Sequence, residues 1–376
     1  MNGDLLSCIV CLEPSPPPIH CGCACRGDGA FAHISCIAQV AASEAARHRR
    51  SETWRECQTC KQNFTGAMRM GLAEAWWGRV SSHAEDSDER LAAADNLATS
   101  LLREGENAKA ISKAGRIFRD LQGILTRLRG GEHPDTLRTL ANLAASIRRQ
   151  GKCVDAERIL REVLEMQTRT LGAEHPSVLE TAGILAETLS RQGKSSEAEL
   201  IQREVLCLKR RILGPEHIET LAAANQLADC FRSQGLCVEA EAINREVLGV
   251  NKRVLGAKHP TTLISASSLA SSLARQGKAV EAEGIYREVL GVERRVLGLE
   301  HPQTLSAANN LAACLIYQRK FTEAEELMQA VLAGRQRVLG HDHPATLHSA
   351  EGLKYAQSKL RAERPITRIL GCAQGS

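Results

Sequence analysis

From residue 133 onward the apolar positions recur in two alternating stripes. Leu137, Leu140, Ala141, Ala144 and Ile147 share one helical face, and Ala156, Ile159, Leu160, Val163 and Leu164 share another. Between them, Gly151 supplies the positive φ that ends a helix, and Gly172 does the same after the second stripe. Pro134 suits the first helical position, where its missing N–H costs nothing. The pattern predicts a helical hairpin, and the hairpin returns. His133-Pro-Asp-Thr-Leu137 recurs at His175, His217, His259, His301 and His343, a step of 42 residues each time. Gln150-Gly-Lys152 recurs as Gln192-Gly-Lys194, Gln234-Gly-Leu236, Gln276-Gly-Lys278 and Gln318-Arg-Lys320. One hairpin cannot bury its stripe alone, whereas stacked neighbours can, so the period predicts an α-solenoid. Leu91 to Arg129 reads as a divergent first hairpin and Leu347 to Leu360 as a terminal capping helix. Ser196-x-x-Glu199 and Thr322-x-x-Glu325 have the spacing of capping boxes opening two second helices.

The first ninety residues lack this period. Ala38 to Arg49 is alanine-rich and predicts a short helix. Ala67 to Val80 predicts another, with Met68, Leu72, Ala75 and Trp76 on one face. Trp76 and Trp77 are expected to dock this region onto the hairpins. Ser81 to Glu89 is short and polar and reads as a linker.

Cys8 to Cys60 changes the picture. Cys8-x2-Cys11, Cys23-x-Cys25, His33-x2-Cys36 and Cys57-x2-Cys60 make four pairs of soft donors. Zn2+ takes four N/S ligands in a closed structural site, so eight donors make two sites. The expected arrangement is cross-braced: Cys8, Cys11, His33 and Cys36 on one ion, and Cys23, Cys25, Cys57 and Cys60 on the other. Cys21 with Cys23 is an alternative second pair, with nine residues before His33 instead of seven. Two zinc ions would hold together a unit too small for a sufficient core of its own. Structural zinc contributes on the order of 10–16 kcal/mol in finger peptides.

Charge adds little. The chain has 376 residues and a net charge of +4, with 48 basic and 44 acidic side chains, so nothing suggests nucleic acid. Six further cysteines, Cys153, Cys207, Cys230, Cys237, Cys314 and Cys372, lie scattered without pair spacing. They imply a reducing compartment, and we expect a cytoplasmic protein. No run of about 18 apolar residues is present, so no membrane span is expected, and no signal peptide is evident. There is no phosphate loop, dinucleotide fingerprint or nucleophile motif. The histidines that open the hairpins are too far apart in sequence to share a metal and read as turn residues. The cations that close the second helices, such as Lys209-Arg-Arg211 and Arg294-Arg295, suit helix C-termini.

Two resemblances follow. Cys8-Ile-Val-Cys-Leu-Glu13, Cys25-Arg-Gly27, Phe31-Ala-His33 and Cys57-Gln-Thr-Cys-Lys61 with Phe64 resemble the RING-CH (RING-variant) zinc finger over roughly the first seventy residues. A PHD finger shares the ligand order, with a shorter gap before the histidine and a wider second pair. The RING-CH resemblance implies a ubiquitin ligase module that binds a ubiquitin-charged conjugating enzyme (E2). It implies contacts from Ile9 and Val10 to the E2 and hydrogen bonds from Lys61 to E2 and ubiquitin. Val40 stands where such fingers commonly carry an aromatic. The 42-residue unit (Leu-Gly-x-x-His-Pro-x-Thr-Leu, Asn-Leu-Ala, Gln-Gly-Lys, Glu-Ala-Glu) resembles the tetratricopeptide repeats (TPR) of kinesin light chains over residues 88–360. No heptads precede it, so motor attachment is not expected. In such arrays the first helices line the concave side. Asn142, Gln226, Ser268 and Asn310 share one repeat position there, with Ile184 the exception, and would bind a protein or peptide partner.

The expected architecture is therefore mostly α. A small two-zinc cross-braced RING-CH finger (1–66) is followed by a connecting helix and linker (67–87), a TPR solenoid (88–361) and a polar tail (362–376). The expected function is an E3 ubiquitin ligase whose array holds a substrate or adaptor. The alternative is a non-catalytic scaffold with a zinc-held protein-binding finger.

Overall fold

The computed structural model describes residues 7–16, 19–20, 31–48, 51–59, 63–64, 66–104, 108–341 and 343–363. The chain divides into two compact units, Met1–Thr261 and Thr262–Ser376.

The first unit opens with two short antiparallel strands, β1 (Ile19–His20) and β2 (Phe31–Ala32), with Ile19 opposite Ala32 and His20 opposite Phe31. Helix α1 (Ile34–His48) follows; it starts earlier than the alanine-rich stretch suggested. A single 3-10 turn, Ser51–Trp54, leads to α2 (Gly66–Val80). Met68 and Leu72 of α2 face a small core with Cys8, Ala32, Cys57 and Phe64. On another side of α2, Trp76 is buried and stacks on Trp54, ring centroids 5.8 Å apart and planes 2° from parallel. Ala93 of α3 (Asp88–Glu104) closes this second cluster with Ala41 and Val80. The tryptophans therefore join the amino-terminal region to the first hairpin, as anticipated. Offset aromatic stacking contributes about 0.5–1.5 kcal/mol beyond the area it buries.

Helix α4 (Ala108–Arg129) completes the divergent hairpin with α3, packing Phe118 and Leu121 on Leu97 and Ala98. The regular hairpins of this unit are α5 (Pro134–Arg149) with α6 (Cys153–Leu171), α7 (Pro176–Arg191) with α8 (Ser195–Leu213), and α9 (Ile218–Ser233) with α10 (Cys237–Val254). Leu137, Ala141, Ala144, Ala156, Leu160 and Val163 form one core with Leu185 and Leu189 of the following hairpin. The predicted stripes are thus the buried faces, shared between neighbours. Ala144 and Ala156 are fully buried, where any larger side chain would part the helices.

In the second unit, α11 (Pro260–Arg275, which begins two residues before the unit does) and α12 (Ala279–Val296) are followed by α13 (Pro302–Tyr317), α14 (Phe321–Leu339) and α15 (Pro344–Glu363). Helix α15 is the last helix among the described residues. Its Lys354 and Gln357 occupy the repeat positions that α13 fills with Ala312 and Leu315, both buried there. Polar residues at those two positions suit a last helix that has no hairpin partner among the described residues.

The repeated Gln-Gly-Lys and Ala-Glu landmarks explain one another. Gln192 Nε2 and Lys194 Nζ, in the turn between α7 and α8, donate to Glu157 at the start of α6. Gln318 and Lys320 do the same to Glu283 in the second unit. Gln234 reaches Glu199 at 2.5 Å, where Leu236 replaces the lysine. A second ladder runs along the opposite turns: Arg169 pairs with Glu132, Arg211 with Glu174, Arg253 with Glu216, and Arg337 with Glu300. Arg169, Arg211, Arg253 and Arg337 thus have carboxylate partners as well as a helix terminus to face, whereas Arg295, at the same repeat position, donates to the Gly291 carbonyl.

The capping boxes do not form. The cap positions of α8 and α14 are Lys194 and Lys320, with no side-chain cap hydrogen bond, and Ser196 and Thr322 already lie inside the helices. Glu199 is instead held by Gln234 and Arg203.

Candidate metal centre and repeat surface

The turn carrying Cys8 and Cys11 lies against the β2–α1 junction. Ile9 N–H donates to the Phe31 carbonyl at 2.8 Å, and Leu12 adopts a positive φ of 65° immediately after Cys11. Backbone N–H groups of Val10 and His33 point at Cys8 Sγ, each at 3.4 Å. His33 Nδ1 lies 3.3 Å from Cys11 Sγ and 3.6 Å from Cys36 Sγ. All four donor atoms of Cys8, Cys11, His33 and Cys36 fall within 4.8 Å of one another. This is the first ligand set expected from the spacing, and its burial and donor chemistry suit a tetrahedral Cys3His site.

The thiols show what such a cluster needs. Burial opposes ionisation of Cys8, but the amides of Cys11, His33 and Val10 outweigh it and bring the thiol down to about 6. Cys36 goes the other way: burial, then the Cys11 and Cys8 sulfurs, push it up to about 11. Three sulfurs this close cannot all ionise without a cation, and a divalent metal supplies one. His33 presents Nδ1 to the Cys11 and Cys36 sulfurs, while its Nε2 is buried with no hydrogen-bond partner among the described residues.

Of the second ligand set, Cys57 is buried beside Cys8 and Phe64. Cys23, Cys25 and Cys60 lie outside the described residues, as do Cys21 and Lys61. No disulfide links any two of the nine described cysteines.

Ile9, Val10 and Val40, singled out by sequence, line one cavity of about 200 Å³ together with Ile37, Thr53, Glu56 and Phe64. Val10 and Val40 are 44% and 40% exposed. The metal turn brings Ile9 and Val10 to this cavity, and α1 brings Ile37 and Val40. Phe64 and Glu56 were not foreseen there; the isolated bridge of Glu56 with Asn63 places both beside it.

The four repeat positions are less uniform than their register suggests. Gln226 and Asn310 are exposed, whereas Asn142 and Ser268 are half-buried. Gln226 Oε1 accepts a hydrogen bond from buried Gln202 of α8 at 2.5 Å, so its carbonyl oxygen serves the stack. First helices also touch the next first helix, α5 with α7 and α7 with α9, which keeps Asn142 and Gln226 on one side of the first unit.

No helix among the described residues is long and apolar enough to cross a membrane. Family models for the tetratricopeptide repeat match residues 135–210, 219–292 and 261–321, and a second such model matches 304–345. No curated protein matches the chain. Similar solved structures include a putative kinesin light chain with nearly identical TPR-like repeats from Podosopora anserina. It is 29% identical, covers 55% of this chain and 97% of its own, and gives a TM-score of 0.47. A Rap protein complexed with Competence and Sporulation Factor is 12% identical, covers 88% and 99%, and gives 0.51. A signal transduction ATPase with a tetratricopeptide repeat sensor from Pyrococcus horikoshii is 14% identical, covers 79% and 44%, and gives 0.50. At those identities the last two share the fold alone.

Proposed function

Starting from residues 135–345 as tetratricopeptide repeats, an array for protein interaction, we propose that the chain is a RING-CH-type E3 ubiquitin ligase. The finger recruits a ubiquitin-charged E2, and the repeats hold a protein or peptide substrate or an adaptor. One observation carries this reading: Ile9 and Val10, from the turn between Cys8 and Cys11, line a single cavity together with Val40. An apolar loop of the E2 would seat there, against Phe64 and Ile37, with Lys61 beyond the last ligand pair.

The chain needs no nucleophile in this chemistry. The thioester already exists on the E2, and the finger accelerates transfer by holding it near an acceptor amine, a contribution of positioning. Zinc would supply only the fixed geometry of the loops. The residues that would hold it are Cys8, Cys11, His33 and Cys36, with Cys23, Cys25, Cys57 and Cys60 as the second set.

Val40 favours a second reading, a scaffold whose finger binds protein without supporting transfer, because the smaller side chain gives an E2 less to grip. A ubiquitination assay with purified chain across a panel of E2 enzymes decides between the two. Chain synthesis by wild type that is lost in Val10→Asp supports the ligase. Silence with every E2, in protein carrying two zinc ions, leaves the scaffold. The described cysteines, none in a disulfide, fit a reducing compartment, and the cytoplasm is the proposed location.

A further inference from the structure

Six helices begin behind the same side chain. The Nδ1 atoms of His133, His175 and His217 accept the backbone N–H two residues on, at 3.2, 3.2 and 3.3 Å. His259, His301 and His343 do so at 3.2 Å each. These are N-caps of α5, α7, α9, α11, α13 and α15, built by a residue rarely chosen for the task. An accepting Nδ1 carries no proton, so the cap geometry calls for the tautomer with its hydrogen on Nε2. A second proton would set donor against donor and place a cation at the positive end of a helix.

The charged groups around the caps decide which proton comes first. Asp135 Oδ2 lies 3.7 Å from His133 Nδ1, and Asp135 also pairs with Arg129 and Arg138. Glu132, Glu174, Glu216 and Glu300 each precede a capping histidine in sequence, and each is engaged by an arginine of the second-helix ladder. Glu219, in the first turn of α9, is held by Lys209 at 3.2 Å. Lys258 precedes His259 in sequence, and Arg335 from α14 donates to the Ala345 carbonyl next to the His343 cap. Asp135 thus lies within ion-pair reach of the His133 cap. His259 and His301 have no such carboxylate among the described residues, and burial holds both imidazoles below their ordinary range.

We propose that the six histidine caps make the array acid-sensitive: protonation unlatches the first helices, beginning with those headed by His259 and His301. The sign follows from the cap. A folded state that resists the proton is fully stable above the ordinary histidine value of 6.5 and loses stability as pH falls below it. Asparagine caps through an oxygen that does not titrate.

The test compares full-length wild type with a His259→Asn, His301→Asn variant in urea at pH 7.5 and 5.5. Similar midpoints at pH 7.5, with a smaller acid shift in the variant, support the proposal. Equal acid shifts overturn it. A measurement that needs no variant is the NMR titration of isotope-labelled histidines in the wild-type chain. Nε2-protonated tautomers with His259 and His301 titrating below 6.5 support it; Nδ1-protonated rings, or titration at or above 6.5, overturn it.

Discussion

Lys194 Nζ donates to both carboxylate oxygens of Glu157, at 2.9 and 2.8 Å, across 37 residues of sequence. Lys194 belongs to one hairpin and Glu157 to the one before, so the pair fastens neighbours. The hydrogen bonds from Lys194, then Arg161, hold the Glu157 carboxyl down at about 2. A depressed carboxylate contributes stability above its ordinary value of 4.5 and loses it as pH falls toward 2. Glu157→Gln removes that dependence. It should cost about 1–3 kcal/mol at pH 7, read from urea midpoints, because charged hydrogen bonds are lost at a nearly buried site.

The third hairpin lacks this lysine. Leu236 stands in its place, 39% exposed, while Glu199 keeps Gln234 and Arg203. Leu236→Lys restores the missing donor and removes exposed apolar surface. The gain should be small, about 0.5–1 kcal/mol, as for other half-exposed pairs. It should vanish in a Glu199→Gln background, so a double-mutant cycle checks the partner.

Arg319 occupies the turn position that is glycine in the four preceding repeats. Its φ is +63°, while Gly151, Gly193, Gly235 and Gly277 lie between +79° and +85°. An L side chain is strained there. Arg319→Gly should raise stability by about 1 kcal/mol, measurable as a higher Tm with an unchanged far-ultraviolet spectrum.

Glu293 gives a pH dependence of opposite sign to Glu157. It is buried, Oε2 has no partner among the described residues, and burial pushes its carboxyl up to about 7. The folded state keeps a proton that the unfolded chain releases near 4.5. Stability therefore falls as pH rises from about 4.5 to about 7 and then levels. Glu293→Gln should flatten that segment of the curve and leave the chain more stable at pH 8. Urea titrations at pH 5, 6.5 and 8 check it.

Metal removal should act locally. A strong chelator, or Cys36→Ser, should release zinc and loosen the turn against β2, changing the fluorescence of Trp54 and Trp76. The hairpins should keep their helical signal, since their cores use no metal-site residue. Elemental analysis before and after, with near- and far-ultraviolet circular dichroism, separates the two effects.

The period of 42 residues was enough to place the hairpins, because a buried stripe must repeat when its neighbours do. Pro134, Gly151 and Ala144 marked helix starts, ends and contacts for local reasons, and local reasons survive in sequence. What stayed hidden joins residues far apart. Nothing in the sequence near Glu157 marks its partners, because Gln192 and Lys194 come from the next turn. Ser196 and Thr322 had the spacing of caps, yet Glu199 was already claimed by Gln234. The histidines were recognised as turn residues, but spacing alone does not show which ring atom faces the helix. Of the expected metal ligands, Cys8, Cys11, His33 and Cys36 were legible as a group because each pair sits within one turn. The cavity beside them needed Phe64 and Glu56, which only the return of the chain after the 3-10 turn brings near.

The Trp54–Trp76 stack ties the 3-10 turn to α2, and Ala93 of α3 packs on the same cluster. The heading of the amino-terminal module is set by α2 and Ala93, so whatever docks there arrives on one bearing toward the opening hairpins. Reach along that bearing then selects what can be brought together. Lengthening α2 by a single turn would shift that aim by about 5.4 Å along the helix axis.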